Sequence, residues 1–419
     1  MIRRSRFIAA GLGAGTIASL AQGAYADALT LNSLPRTNVP RHRKGTSGNS
    51  IALAYTFLGN MMDLYATGST LRLAQSYLPT AAQNLGDLAY TYDNAMLILA
   101  LLQRGQTGDL SRAEVLGNSF VYAQANDPLN DGRVRDGYHV DPFLTASGAP
   151  RIADDDDEGG AHTGNVAWVG LALVHLYAKT NENAYLNAAL AMGEWIASKT
   201  HDRRGAGGYV DGFEQPNKRI FSKATKANIV VFAFFELLSK FVGVDPWQVR
   251  AQHALSFVDA MFNAPGPYFW VGTQSDGRTV NTSFVPLEVQ AWSYLATLNA
   301  QHDTSIDWAY SNLFVYAAPF IGVCFSTVDL TGDWFEGTAH MAAAFLARNA
   351  SGDSTKATRF LSSIQLAQTE APNNDGMGID AATEDGLKTG SGSKYYAALH
   401  VGATSWYCIA GQSGNPFFV

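Results

Sequence analysis

Six times along this chain an apolar helical stretch opens on a short polar or aromatic cluster, at intervals of roughly 50 to 70 residues, and such a period marks a repeat architecture. The openings are Thr91-Tyr92-Asp93-Asn94, His162-Thr163-Gly164-Asn165, Lys223 to Asn228, Pro286 to Gln290, Trp334-Phe335-Glu336-Gly337 and His400 to Thr404. Behind them run segments such as MLILALL from Met96, VAWVGLALVHLY from Val166 and IVVFAFFELL from Ile229. A helix that is apolar all round must be buried over most of its circumference. Six of them require a shared interior. If all six point the same way, their polar beginnings gather at one end as a crater.

Between them lie helices that are apolar on one side only, at about 111–125, 183–199, 246–262, 304–317 and 355–368, with 50–66 as the sixth. Short turns such as Gln103 to Asp109 and Lys179 to Glu182 join inner to outer helix as antiparallel hairpins. The returns, near 126–162, 200–224, 263–285, 318–335 and 369–399, are much longer, and loops of that length in a compact domain usually carry function. The expected fold is therefore all-α: an (α/α)6 toroid of six inner and six outer helices with the long loops on one rim, forming a single domain over residues 49–419. With 419 residues, 47% of them hydrophobic, the chain has ample material for such a core.

This alternation resembles the six-hairpin, or (α/α)6-barrel, superfamily of carbohydrate-active enzymes, over about residues 49–415. Trp334-Phe335-Glu336-Gly337-Thr338-Ala339-His340-Met341 is similar to the Glu-Gly helix starts that place a general acid in some of its glycosidases, although here it opens the fifth inner helix rather than the first. The resemblance implies an inverting glycoside hydrolase, a polysaccharide lyase or a sugar epimerase, acting without a cofactor.

Inverting hydrolysis needs two carboxyl groups roughly 6.5 to 9.5 Å apart, one protonated and one ionised. Glu336, set among Trp334, Phe335 and Gly337, has an apolar setting of the kind that raises a carboxyl pKa, which makes it the leading acid. Asp93 suits an N-cap, yet two tyrosines precede it and an apolar helix follows, so it is a candidate base or substrate ligand. Asp157 and Glu158 end an acidic run whose first members read as solvated, and Gly159-Gly160 lets the chain fold tightly enough to aim these two inward. A hard cation is the competing use of that run, but the spacing is not that of an EF-hand and no metal site is expected.

Sugar-binding candidates are Tyr92, His162, Asn165, Asn228, Glu288, Gln290, Trp270, Trp334, His340 and His400, supplying hydroxyl partners and apolar faces for stacking. Asp211 and Glu214 read as loop structure. The expected partner is a poly- or oligosaccharide; a non-catalytic glycan-binding protein would keep the aromatics without needing the carboxylates. No phosphate-binding loop, zinc-protease helix or nucleophile elbow occurs.

Residues 1–26 read as a cleaved export signal: Arg3, Arg4 and Arg6, then a small-residue apolar stretch, then Ala24-Tyr25-Ala26 as cleavage site. The Arg3-Arg4 pair favours the twin-arginine route, with the general secretory route as the alternative because Phe7 stands one place later than the twin-arginine spacing, and the expected location is periplasmic or secreted with no membrane anchor after cleavage. Residues 27–48, rich in Asn, Arg, Pro and Gly, read as an extended leader. Cleavage removes three arginines and no acid, taking the formal charge from −7 to −10, which disfavours nucleic acid and anionic lipid as partners. Cys324 and Cys408, each in an apolar setting, read as two separate buried thiols.

Overall fold

The structure is a computed structural model in which residues 47–80 and 85–419 are described. The expected export signal, and the expected leader up to residue 46, lie outside the described residues. Among those described there are twelve α-helices: α1 Ser47–Met62, α2 Thr91–Arg104, α3 Asp109–Ala125, α4 Thr163–Thr180, α5 Asn183–Trp195, α6 Thr225–Val242, α7 Trp247–Ala260, α8 Leu287–Thr297, α9 Thr304–Leu313, α10 Phe335–Arg348, α11 Asp353–Glu370 and α12 Val401–Gly411. The even-numbered helices are the apolar ones. Each packs against the next, and α12 packs against α2, so they close a ring. The odd-numbered helices α3 to α11 lie against the inner helix that precedes them, and α1 lies against α12. This is the (α/α)6 toroid, with very short strands added in the long loops.

Four of the six inner helices end where a residue enters the left-handed region: Gly105, Asn181, Leu298 and Asn349 have φ of 61°, 58°, 49° and 52°, and each turns its N–H back onto the carbonyl four residues earlier. Glycine and asparagine take that conformation at little cost, whereas Leu298 takes it against its own preference. The chain then reverses at once into the outer helix.

The opposite ends carry a second regularity. The first N–H of each inner helix, one of the groups a helix leaves without an internal partner, donates to a carbonyl in the loop that leads to the next inner helix. Thr91 bonds Asp136 (2.8 Å), Thr163 bonds Asp211 (3.0 Å), Thr225 bonds Val271 (2.9 Å), Leu287 bonds Phe325 (2.8 Å) and Phe335 bonds Ala381 (3.2 Å). Val401 bonds Ser76 (2.9 Å) and completes the circle. Three residues further along in five of the six, all but α4, a side chain holds the helix's own incoming loop. Asn94 pairs with the N–H and C=O of Ala74, Asn228 with those of Tyr209, and Gln290 with those of Phe269. Thr338 and Thr404 accept the N–H of Val323 and Ile379. In all five loops the clamped residue stands two before the one whose carbonyl accepts. A belt of hydrogen bonds therefore encircles the rim, which is why all six openings lie at one end.

Local expectations differ in two places. Residues 314–317 do not continue α9 but form a strand, Phe314–Ala317, paired with Phe320–Val323 across a turn at Ala318-Pro319. Proline cannot continue a helix, and the flanking β-branched and aromatic residues suit a hairpin. Helix α1 spans Ser47–Met62 instead of 50–66, because Asp63 is taken by Arg72 and Arg112 (2.8 and 2.5 Å). Cys324 and Cys408 are both buried and unbridged, as expected.

Candidate active site

The second residue of each inner helix is the one turned toward the axis. Tyr92, Lys226, Glu288 and Glu336 occupy four of these positions and Gly164 the fifth, and all five line one cavity of about 410 Å³. The sixth position is Gly402, beneath an adjoining recess of about 240 Å³ lined by Tyr77, Tyr90, Asp93, Asp136, Glu158 and His400. Tyr92, Asp157, His162, Asn165, Glu336 and Tyr395 border both spaces.

Glu336 sits on the floor, 1% exposed. Tyr92 Oη donates to its Oε1 at 2.6 Å, and Trp406 Nε1 donates in turn to Tyr92 Oη at 2.7 Å. His340 Nε2 lies 3.5 Å from Oε1 and His400 Nδ1 lies 3.7 Å from Oε2. Burial alone raises a carboxyl pKa, but His340, His400 and the Tyr92 hydroxyl outweigh it and hold Glu336 below its ordinary value. The setting expected from sequence was an apolar one that keeps Glu336 protonated. Trp334 and Phe335 are indeed beside it in the chain, but the groups that reach the carboxylate are a phenol and two imidazoles. Burial and the Glu336 charge push the Tyr92 hydroxyl well above its usual value, so it keeps the proton it donates.

Asp93 accepts from His400 Nε2 at 3.0 Å, and His400 stacks on Tyr77 with ring centres 4.2 Å apart. Ala403 N–H points at His400 Nδ1 (3.2 Å), which selects the tautomer with its proton on Nε2 when the ring is neutral. Gly402 makes room for this group: a Cβ there would stand 2.5 Å from Asp93 Oδ1 and 3.2 Å from Glu336 Oε2. Those two oxygens are thus no farther apart than the sum of the two distances, which falls short of the roughly 6.5 Å at which inverting pairs begin.

Across the ring, Asp136 bonds His162 Nδ1 at 2.7 Å and Asn165 Nδ2 at 2.6 Å, and Asp157 Oδ1 lies 3.4 Å from His162 Nε2. Burial opposes charge on His162, yet Asp136, Asp211 and Asp157 push its pKa up to about 10, so the ring stays an imidazolium. Asp157, whose side chain is 70% exposed, is shifted upward as well: desolvation and the nearby charges of Asp136, Asp155 and Glu214 outweigh His162. Glu158 accepts from Tyr90 Oη at 2.7 Å, and Lys226 pairs with Glu288 at 3.1 Å.

Of the residues singled out from sequence, the structure brings Glu336, Asp93, Asp157, Glu158, Tyr92, His162, Asn165, Glu288 and His400 together around these two spaces. Five others are placed elsewhere. Asn228 and Gln290 are fully buried, with their amide groups committed to backbone in the belt, so they hold loops instead of facing sugar. Trp334 is buried against His340, Phe325 and Tyr395, and the half-buried Trp270 packs on Tyr268 away from the cavity. His340 lies beneath the floor behind Glu336, fully buried.

Sequence reasoning missed Asp136, Trp168 and Trp292, and it took Asp211, which lines the larger space, for loop structure. A signal for the two aspartates existed: Asp136-Gly137-Tyr138 and Asp211-Gly212-Phe213 repeat the same pattern and occupy equivalent stations in the belt. Among the described residues, no group of three or more His, Cys, Asp or Glu is arranged to hold a metal ion.

No family model and no curated protein matches the sequence. Solved structures do match. A family 76 glycoside hydrolase from a bovine Bacteroides thetaiotaomicron strain aligns over 88% of this chain and 78% of its own, with 13% identity and a TM-score of 0.60. A glycosidase variant in complex with glucose aligns over 89% and 98%, with 14% identity and a TM-score of 0.61. A D-mannose isomerase aligns over 90% and 99%, with 10% identity and a TM-score of 0.62. At such identities the likeness is one of architecture: the chain shares the (α/α)6-barrel fold with these proteins.

Proposed function

We propose that this protein is an exported glycoside hydrolase that cleaves a neutral poly- or oligosaccharide with inversion. The observation that carries the reading is a pair of carboxyl groups with opposed tendencies on opposite sides of one cavity. Asp157 precedes the second inner helix and Glu336 opens the fifth, so they stand across the ring, and both border the same spaces. Asp157, at the exposed rim, is raised by desolvation and by neighbouring carboxylates, and Glu336, on the buried floor, is lowered by its two histidines and Tyr92, so in this reading Asp157 is the proton donor and Glu336 the acceptor.

In this scheme Glu336, which borders both spaces, accepts a proton from water. The water oxygen attacks the anomeric carbon as the glycosidic bond breaks, and Asp157 gives its proton to the departing oxygen. The Asp93–His400 pair steadies Glu336, and Trp168, Trp292 and Tyr395 offer apolar faces for sugar rings. Asp93, Asp136, Asp157, Glu158, Asp211, Glu288 and Glu336 outnumber Lys226, His162 and His400 around the two spaces, which disfavours an anionic substrate and therefore a uronate lyase. Two of the structurally similar proteins are named as glycosidases, which agrees with this choice.

A sugar isomerase or epimerase is the second reading, favoured by the two imidazoles that flank Glu336 and by the likeness to the D-mannose isomerase. A panel of neutral glycans, followed by reducing-sugar release and by NMR of the first anomer formed, separates the two. Glu336→Gln should lower kcat at least about a hundredfold with binding retained. Asp157→Asn should hurt substrates with poor leaving groups far more than activated aryl glycosides. Isomerised monosaccharide without bond cleavage would replace the hydrolase reading with the second one, and unchanged turnover in Glu336→Gln would remove Glu336 from the chemistry.

A further inference from the structure

The end of the barrel opposite the crater is filled by the segment after α12. Asn415 Nδ2 bonds Leu295 O at 2.8 Å, Phe417 N–H bonds Asn415 Oδ1 at 3.2 Å, and the ring of Phe417 is carried into the barrel until it is 1% exposed. There it meets Trp168 of α4, with ring centres 4.9 Å apart, and Trp292 of α8, at 6.2 Å. These two indoles contact each other edge to face at 5.3 Å, and both line the large cavity on their other side. Each also touches Tyr92, at 5.8 and 6.0 Å, and Trp406 of α12 stacks on Trp292 at 6.3 Å. Tyr92 donates to Glu336, and Trp406 donates to Tyr92. A continuous set of ring contacts thus runs from Phe417 to the phenol that holds the carboxylate.

We propose that Phe417 is a positioning residue: its ring supports Trp168 and Trp292 from below, and these fix the Tyr92 hydroxyl on Glu336. The physical reason is packing. Aromatic side chains in a close-packed interior transmit a displacement because no slack is left to absorb it. Removing the Phe417 ring leaves a void directly beneath the two indoles, and whatever sinks into it draws Tyr92 away from Oε1. A misplacement of about 1 Å originating far from the chemistry can cost on the order of a hundredfold in rate.

The inference rests on the proposed role of Glu336, so the test has one arm that needs no turnover. Crystal structures of the full chain and of Phe417→Ala should show the Tyr92 Oη to Glu336 Oε1 contact lengthened in the variant. An unchanged contact would overturn the inference whatever the protein's activity. On a cleaved glycan, Phe417→Ala should lower kcat at least about tenfold with KM little altered, and should move the acid limb of the pH profile upward, because Glu336 loses a donor to its ionised form. Phe417→Leu, which refills most of the volume, should recover most of both. Should Phe417→Ala fail to fold, Phe417→Leu and Phe417→Met take its place and should show the same shift in smaller degree. Wild-type kcat and an unmoved acid limb in a folded variant would reduce Phe417 to a core residue. If no glycan is cleaved even by the full chain, the hydrolase reading fails, while the structural arm still decides this one.

Discussion

Asp333 carries a fully buried carboxyl just before α10, where burial pushes its pKa up to about 7 against bonds from the Thr338 hydroxyl and the Val323 N–H. Asp380, buried in the loop before α12, is pushed up to about 6 for the same first reason. A carboxyl whose folded pKa exceeds its unfolded one binds its proton more tightly in the native state, so its contribution to stability falls as pH rises from the unfolded value, near 3.8, through the folded one. Asp333→Asn keeps an acceptor for Thr338 and removes the charge. It should therefore stabilise the protein by about 2 to 4 kcal/mol at pH 8 and do little at pH 4. Melting temperatures across that range decide it, and a variant that tracks the wild type at pH 8 would refute the assignment. Asn228 tests the belt at the same scale. Asn228→Ala strips partners from Tyr209 and Ala224 and should cost about 2 to 4 kcal/mol in urea unfolding, with KM of the folded enzyme unchanged. A raised KM with unaltered stability would make it a sugar ligand after all. The sequence marked Glu336, Tyr92 and Asn228 alike as helix-start residues. Two positions along a helix are about 200° of rotation, so the second residue faces the axis while the fourth faces its own loop, and that difference becomes visible only once the first turn is placed.

At the scale of elements, the helix assignments were legible because burial on all sides and burial on one side leave different patterns. The hairpin at 314–323 was not, since a short apolar run with an aromatic reads equally well as the end of α9 until Pro319 is given its turn. The belt was hidden for another reason: the bonds from each helix start to the next loop join backbone groups, which leave no mark in a sequence, and its side-chain clamps read as ordinary helix-start residues. It nonetheless makes an unusual demand. Proline is ordinarily welcome as the first residue of a helix because the N–H there has no partner. Here Val401→Pro would break the bond to Ser76 and open the belt where the ring closes. The expected cost is about 1 to 3 kcal/mol, with faster amide exchange around residues 74 to 76 and at the start of α2. Exchange rates like those of the wild type in that region would mean that the belt follows from helix packing and does not support it.

For the whole molecule, the proposal that residues 1–26 are a cleaved export signal makes a prediction independent of the fold. Protein recovered from its native compartment should begin at Asp27 by mass spectrometry, since Ala24 and Ala26 are the small residues a signal peptidase accepts. An intact Met1 to Ala26 would mean that segment is not a cleaved signal. The toroid itself could be foreseen because six buried helices in one chain have few other ways to share an interior. Which side chains would share the crater could not, because the partners of Glu336 come from α2, α10 and the loop before α12, positions up to 244 residues apart. The six helix openings are also interchangeable seats. Each second residue is aimed at the same axis from the same kind of backbone, and here the occupants in order are Tyr92, Gly164, Lys226, Glu288, Glu336 and Gly402. A carboxylate or an amine can therefore stand in more than one of these seats on the same backbone, whereas the seat of Gly402 is closed to a side chain by Asp93 and His400. A ring built this way can thus present different sets of side chains to one crater on the same backbone.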